Sequence, residues 1–308
     1  MVILLNTICC GGKGLEKWNQ IKNHILNSGT AVFRTNENGL IPKLKEYIEK
    51  GETHFVAAGG DGTVNYLLNI LVEIAAVDQL KKITLGAIGI GSSNDFHKPF
   101  CSKIEGISVC IDFQNADYRD VGLITCETTN GEIEKYFLIN ASVGITAHAN
   151  YLFNNSDSIL SNLKRVSTKS AILYAAIKTI LAYKNLTANI TINRENFTTA
   201  ITNLGITKNP HFSGDFCYDS PTDYTNGKFN VHLAYHMNKF EIVNLMKALI
   251  KGSFSKLKKT KSWQTDSIKI ISKNKFAVEF DGEVVITNKV EFKILNKYIK
   301  VCSNGKNT

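Results

Sequence analysis

The sequence predicts an α/β domain followed by a β-rich, largely antiparallel domain. Three observations predict it. Short apolar runs alternate with amphipathic helical stretches up to about residue 120, the pattern of a parallel sheet covered on both faces. Beyond that point the segments become strand-rich. Two glycine-containing loops each follow an apolar run, as strand–loop–helix units require.

Val2 to Asn6 form the first apolar run, and Gly11, Gly12, Lys13 and Gly14 make a loop after it. Leu15, Trp18, Ile21, Ile25 and Leu26 recur at helical spacing, and Ser28-Gly29 ends that helix. Residues 31–34 read as a strand, residues 40–50 as a helix stopped by Gly51, and residues 54–58 as a third strand. Val64, Leu67, Leu68 and Leu71 share one face of the next helix, and residues 83–88 are again a strand. In the second half, YFLINASVGI, ANITINRENF, AITNLGI, KFNVHLAY and SIKIISKNKFAVEF read as strands. Phe229, Val231, Leu233 and Tyr235 alternate with polar residues, which predicts a half-buried strand. Helices are predicted over 168–183 and 239–251, the latter stopped by Gly252, and Lys289 to Val301 reads as a last strand. In the first of these helices Ile172, Leu173, Ile177, Ile180 and Leu181 suit a core-facing side, with a lipid pocket as the alternative.

The chain has 308 residues, 44% hydrophobic and 20% charged, enough to bury a core and too apolar for wholesale disorder. No apolar run reaches the ~18 residues of a spanning helix. The short N-terminal run has no basic leader and reads as a strand rather than a signal peptide. A net charge of +9 favours anionic partners. The seven cysteines include no CxxC pair, and no Cys/His cluster has zinc spacing; free thiols in a reducing cytoplasm are expected.

Chemistry concentrates in Gly59-Gly60-Asp61-Gly62-Thr63, between a strand and a helix. Glycines let the backbone approach a ligand, and a helix N-terminus favours phosphate. Thr63 adds a hydroxyl, and an acid beside phosphate, Asp61, implies Mg²⁺ or catalysis. A second loop, Gly89-Ile90-Gly91-Ser92-Ser93-Asn94-Asp95-Phe96, follows the next strand at the sheet edge where α/β proteins bind ligands. Late in the chain, Asp281-Gly282 is followed by Glu283; taken alone, the segment reads as a hairpin turn.

Together these segments resemble the diacylglycerol kinase catalytic-domain family, which includes bacterial lipid kinases, sphingosine kinases and ceramide kinases. Residues 59–63 match its nucleotide loop. Gly91 to Phe96 resemble its GT-x-ND-F segment, Phe137 to Gly144 its F-x-N-x-x-x-G segment, Gly214 to Gly227 the stretch that precedes DG in relatives, and Phe280 to Glu283 its DGE motif. The matches occur in the family's order over almost the whole chain. The resemblance implies a Rossmann-like nucleotide-binding domain at 1–122, with 290–308 returning to it, and a β-sandwich-like lipid-substrate domain at 123–289, the nucleotide lying in the cleft between them.

It implies an ATP- and Mg²⁺-dependent lipid kinase, phosphorylating diacylglycerol to phosphatidic acid; the alternatives are a soluble-substrate kinase of the NAD-kinase type and a non-catalytic nucleotide- or lipid-binding relative. By the same resemblance Asn6, Gly59, Gly60, Asp61, Gly62, Thr63, Gly91, Ser92, Asn94 and Asp95 bind nucleotide, Asp61 reaches the metal, Asp281 is the general base, and Glu283 assists it. Lys13 is a further phosphate candidate, or else a solvated loop lysine. Three departures stand out. Asn65-Tyr66 replaces an Asn-Glu pair, and the proline before the second loop is absent. Asn226-Gly227 replaces the Asp-Gly whose acid anchors a structural Mg²⁺ in some relatives, with Asp223 as a nearby substitute.

From Lys239 to Lys275 ten lysines face only Glu241 and Asp266, and Trp263 follows the densest cluster, 256–261. This predicts a peripheral anionic-membrane surface at the cytoplasmic face. No nucleic-acid-binding motif is present, so nucleic acid is not expected as a partner. A homodimer is a further expectation.

Overall fold

The computed structural model describes residues 1–99, 101–129, 131–154 and 178–303. They form two compact units, Met1–Val121 with the chain from Asn296 on, and Gly122–Leu295.

The first unit is α/β. Its elements are β1 (Val2–Leu5), α1 (Gly14–Ile25), β2 (Ala31–Arg34), α2 (Leu40–Glu49), β3 (His54–Gly59), α3 (Asp61–Ile74), α4 (Val77–Leu80) and β4 (Thr84–Gly89). They are followed by β5 (Ser102–Ile104), β6 (Ile107–Cys110) and the start of β7 (Asp112–Thr128). The parallel order is β4-β3-β1-β2. Strands β1, β3 and β4 are buried almost throughout, which is why they read as continuous apolar runs rather than alternations. Helix α1 buries Trp18, Ile21 and Ile25 against Ile3, Leu5, Val56 and Ala58. The edge of β4 away from β3 is shared. Ala87 and Ile88 pair antiparallel with β6, and Thr84 and Leu85 pair in parallel with Lys300 and Val301 near the end of the chain.

The second unit is antiparallel β. After the rest of β7 come β8 (Gly131–Phe137), β9 (Asn140–Gly144), α5 (Ile145–Asn154), β10 (Leu186–Ile192), β11 (Glu195–Thr207), the small pair β12 (His211–Phe212) and β13 (Phe216–Cys217), and β14 (Phe229–Tyr235). Helix α6 (Lys239–Ile250), β15 (Thr260–Thr265), β16 (Ser267–Phe280) and β17 (Glu283–Ser303) complete it, the last strand continuing into the first unit. The order is β15-β14-β11-β10-β16-β17, with β9 bridging β11 and β16. Their inward residues form one core that includes Phe137, Val143, Leu204, Phe229, Val278 and Phe292.

Two sequence expectations are corrected. Strand β14 is not half-buried, since six of its seven residues are buried. Its polar-looking side is covered too: Ala234 packs with Ile242, Leu245 and Leu249 of α6, and His232 stacks on Tyr218 at 4.2 Å. The stretch YFLINASVGI is not one strand; β8 ends at Phe137 and β9 starts at Asn140, because the N–H groups of Leu138 and Ile139 turn to a side-chain acceptor. Of the helix expected over 168–183, residues up to 177 lie outside the described residues, including Ile172, Leu173 and Ile177. Residues 178–182 are helical, with Ile180 against a buried cluster and Leu181 72% exposed. All seven cysteines are free thiols. Among the described residues, no helix is long and apolar enough to cross a membrane.

Candidate active site

In the first unit, α3 begins directly after β3, with Gly60 as its N-cap and Asp61 in its first turn. The loop is folded on itself. Asn6, at the end of β1, donates from Nδ2 to Thr63 Oγ1 at 3.1 Å, and its N–H donates to the Ala58 carbonyl at 2.9 Å. Thr63 is 4% exposed, so its hydroxyl acts within the loop. A Cβ on Gly59 would fall 2.1 Å from Thr63 Oγ1, which restricts that position to glycine.

The second loop is stitched to the first. The Gly91 N–H donates to the Gly59 carbonyl at 3.0 Å, and a Cβ on Gly91 would lie 2.3 Å from Gly60 Cα. Asp61 Oδ1 accepts from the Phe96 N–H at 2.9 Å, bracing the turn Asp95–His97. Asn94, with φ of 52°, donates from Nδ2 to the Gly89 and Gly91 carbonyls, while its buried Oδ1 has no partner among the described residues. A buried amide oxygen without a donor is costly, and a ligand N–H or O–H would satisfy it. Asp95 is buried and paired with Lys98 at 2.7 Å. Ser92 is exposed at the loop tip.

Lys17 was not legible as a site residue. From α1 it donates to the Gly91 carbonyl at 3.1 Å, which places an ammonium beside the two-loop cradle. Its only sequence signal is a helical position one turn after Lys13, which is exposed. His97 is buried, with its Nδ1 unpartnered; burial, reinforced by Arg119, pushes it down to about 4.

The fold family implies Mg²⁺. Among the described residues no cluster of three His, Cys, Asp or Glu could cage a metal. Mg²⁺ is commonly held by one or two carboxylates plus substrate phosphates, and Asp61 in the first turn of α3 fits that lighter demand.

In the second unit, Asp281 and Gly282 form the turn between β16 and β17, with φ of 45° and 94°. The Asp281 carboxylate is 3% exposed and accepts three backbone N–H groups, from Leu138 at 2.8 Å, Ile139 at 3.0 Å and Asn140 at 3.0 Å. Its own N–H donates to the Asn140 carbonyl at 3.0 Å. Glu279, also buried, accepts from Ser142 Oγ at 2.8 Å and from the Gly282 N–H at 2.9 Å. Glu283, two residues after Asp281, is exposed.

The same hub reaches the Asn226-Gly227 pair. The Lys208 and Asn209 N–H groups donate to the Ile139 carbonyl at 2.9 and 3.0 Å. Lys208 is 1% exposed, and its ammonium donates to Asn226 Oδ1 at 2.9 Å and to the Lys228 carbonyl at 2.8 Å. The residues here do not fit a structural Mg²⁺, because an ammonium already rests on the oxygens that a cation would use. Asp223 Oδ1 accepts from the Thr225 N–H at 2.9 Å and closes a local turn.

A cavity of about 360 Å³ opens elsewhere in this unit, lined by His148, Tyr183, Lys184, Lys275 and Phe276 among others. Burial holds the His148 imidazole below its usual range.

The structure thus brings Asn6, Gly59, Gly60, Asp61, Thr63, Gly91 and Asn94 together in one unit; Asp281 and Glu283 belong to the other. The diacylglycerol kinase catalytic domain family matches residues 1–126, and the YegS C-terminal NAD kinase beta sandwich-like domain family matches residues 140–303. A "Putative lipid kinase" of Staphylococcus carnosus (strain TM300) is 23% identical over 257 residues, 80% of this chain and 76% of that protein. Two solved structures from Bacillus anthracis str. Sterne, each described as a "putative diacylglycerol kinase", share the fold. One has a TM-score of 0.68 at 19% identity, the other 0.69 at 18%, and each covers 98% of this chain and 96% of the other.

Proposed function

Because this chain belongs to the diacylglycerol kinase family, with its catalytic and β-sandwich-like domains in sequence, we propose that it transfers the γ-phosphoryl group of ATP to a lipid hydroxyl, with diacylglycerol as acceptor and phosphatidic acid as product. The observation that carries the reading is the pair of loops at 59–63 and 89–96, locked backbone to backbone at a helix N-terminus. Such a cradle suits a polyphosphate.

Phosphoryl transfer depends on positioning and on neutralising charge. The N–H groups at the start of α3 and the Lys17 ammonium would bind phosphate oxygens, and Gly60 and Gly91, by lacking side chains, let the two loops close on each other. Asp61 would hold Mg²⁺, which when bound supplies charge neutralisation at the phosphates. The lipid oxygen attacks the γ-phosphorus, the bond to the β–γ bridging oxygen breaks, and the hydroxyl proton passes to a carboxylate.

Geometry favours Glu283 over Asp281 as that carboxylate. Asp281 is buried beneath three N–H donors, whereas Glu283 is exposed on the turn that Asp281 fixes. Asp281 stays in the proposed site as the positioning partner. A placed carboxylate contributes roughly 10²–10⁴-fold.

The test is transfer of labelled phosphate from ATP with Mg²⁺ to diacylglycerol, monoacylglycerol, sphingosine, ceramide and phosphatidylglycerol in mixed micelles, with NAD as soluble acceptor, run beside Glu283→Gln. Label in a lipid, lost in the variant, supports the reading. Label in NAD alone would replace it with the soluble-substrate alternative. ATP binding without any labelled product would leave a non-catalytic relative.

A further inference from the structure

Helix α6 has two distinct faces. Ile242, Leu245 and Leu249 are buried against the second unit's core, which fixes the roll of the helix. The opposite face carries Phe240, Val243 and Ile250, exposed by 84, 39 and 60%. Interleaved with them are the exposed lysines Lys239 and Lys247, with Lys251 just past the helix end. The helix's one acid, Glu241, is consumed locally. It caps the Asn238 N–H and pairs with Lys259 at 2.8 Å. An exposed Phe or Ile singly needs no explanation. Apolar residues at helical spacing, interleaved with lysines and free of unpaired acid, match a helix that lies in a membrane interface.

The face also has a direction. Lys239 donates to the Tyr183 carbonyl, and Asn185 Nδ2 donates to the Met237 carbonyl at 3.0 Å. These two contacts tie the start of α6 to residues that line the 360 Å³ cavity, and Leu181, 72% exposed, lies two residues before Tyr183. Charge complementarity names the occupant. Ten lysines against two acids from 239 to 275 select an anionic surface, and exposed Phe, Val and Ile select one with an apolar interior. A bilayer offers both, whereas a nucleic acid offers only the first.

We propose that the outer face of α6, centred on Phe240, Val243, Lys247, Ile250 and Lys251, docks this protein on the surface of an anionic bilayer, with Phe240 and Ile250 inserted among the headgroups. The proposal rests on the reading that the acceptor is a lipid, because it gives the cavity beside α6 a supply from the membrane plane.

The experiment is co-sedimentation of the full chain with phosphatidylcholine vesicles, with and without phosphatidylglycerol, across a salt series. A parallel assay follows turnover of a water-soluble short-chain diacylglycerol without vesicles. Binding is expected only with phosphatidylglycerol, falling as salt rises. Each of Lys247→Glu and Lys251→Glu lowers partition by roughly fivefold or more, and Phe240→Ser by roughly tenfold. All three residues are exposed, so the variants keep the wild-type melting temperature and the turnover of the soluble lipid. Wild-type binding by Phe240→Ser together with both lysine variants overturns the proposal. So does binding indifferent to phosphatidylglycerol, or a Phe240→Ser variant as competent as wild type with the lysine effects reproduced on a DNA oligomer. The kinase reading fails separately, if the soluble lipid is never phosphorylated while vesicle binding persists.

Discussion

Asp281 and Asn140 hold each other in both directions: the Asp281 N–H donates to the Asn140 carbonyl, and the Asn140 N–H donates to Asp281 Oδ1, each at 3.0 Å. The late DGE turn is thereby welded to the break between β8 and β9. Two motifs far apart in sequence become one rigid piece, from which Glu283 projects.

That weld separates the roles of the two acids. Asp281→Asn turns an amide N–H₂ toward backbone donors that need an acceptor, and is expected to lose about 3 kcal/mol of stability. Glu283→Gln, on an exposed position, is expected to stay within about 0.5 kcal/mol of wild type and to lower kcat by roughly 10²–10⁴-fold. Urea denaturation beside steady-state kinetics distinguishes them. A stable Asp281→Asn with no turnover, beside an active Glu283→Gln, would return the base to Asp281.

The two nucleotide loops touch at Gly60 and Gly91. In Gly91→Ala the new methyl would sit 2.3 Å from Gly60 Cα, so the loops must part. Overpacking of this kind costs about 1–3 kcal/mol, and ATP affinity is expected to fall at least tenfold. Calorimetric titration with ATP reads it directly; unchanged affinity would show that the loops act independently.

The Lys208 ammonium already rests on the Asn226 and Lys228 oxygens. Chelation with EDTA is therefore expected to leave the melting temperature unchanged. Lys208→Met, which strands the Asn226 and Lys228 oxygens, should lose about 2–4 kcal/mol. The double variant Lys208→Met/Asn226→Asp should regain stability when Mg²⁺ is added, an increment absent from wild type. A melting temperature in the wild-type chain that drops with EDTA would contradict this account.

Two buried histidines set an acid limit on stability. His97 and His232 are each pushed down to about 4, in both cases chiefly by burial. His232 is also held by Ser262 at 2.9 Å and Ser220 at 3.1 Å. The folded state prefers them neutral, whereas in the unfolded chain they take a proton near 6.5. Their contribution is complete above about pH 6.5 and is lost as pH falls toward 4, by about 3 kcal/mol for each. Denaturation midpoints across that range should follow the uptake of two protons, and one in His232→Gln. A flat profile would exclude the mechanism.

Much of this was legible in the sequence because it is local. A glycine-rich turn after an apolar strand, a helix with one apolar face and a DG turn all announce themselves in a few residues. What escaped depends on partners distant in the chain. The break at 138–139 exists because Asp281 supplies an acceptor. Strand β14 reads as half-buried, but its second face is covered by α6 and Tyr218, which its own pattern does not encode. Lys17 has the sequence pattern of any helix-surface lysine, and only the packing of α1 brings it to Gly91; the apolar residues of the outer face of α6 are interspersed with lysines, so that face has no apolar run in the sequence.

The last strand has a consequence for how the molecule is made. Thr84 and Leu85 find their outer partners in Lys300 and Val301, and the buried Cys110 thiol donates to the Cys302 carbonyl at 2.9 Å. During synthesis, the Thr84–Leu85 part of the β4 edge must wait for its partner while the ribosome produces the entire second unit. A nascent or truncated chain exposes that edge as a template for other strands. Loss of the strand around Lys300 and Val301 would therefore damage the half made first, although every other residue of that half is already in place.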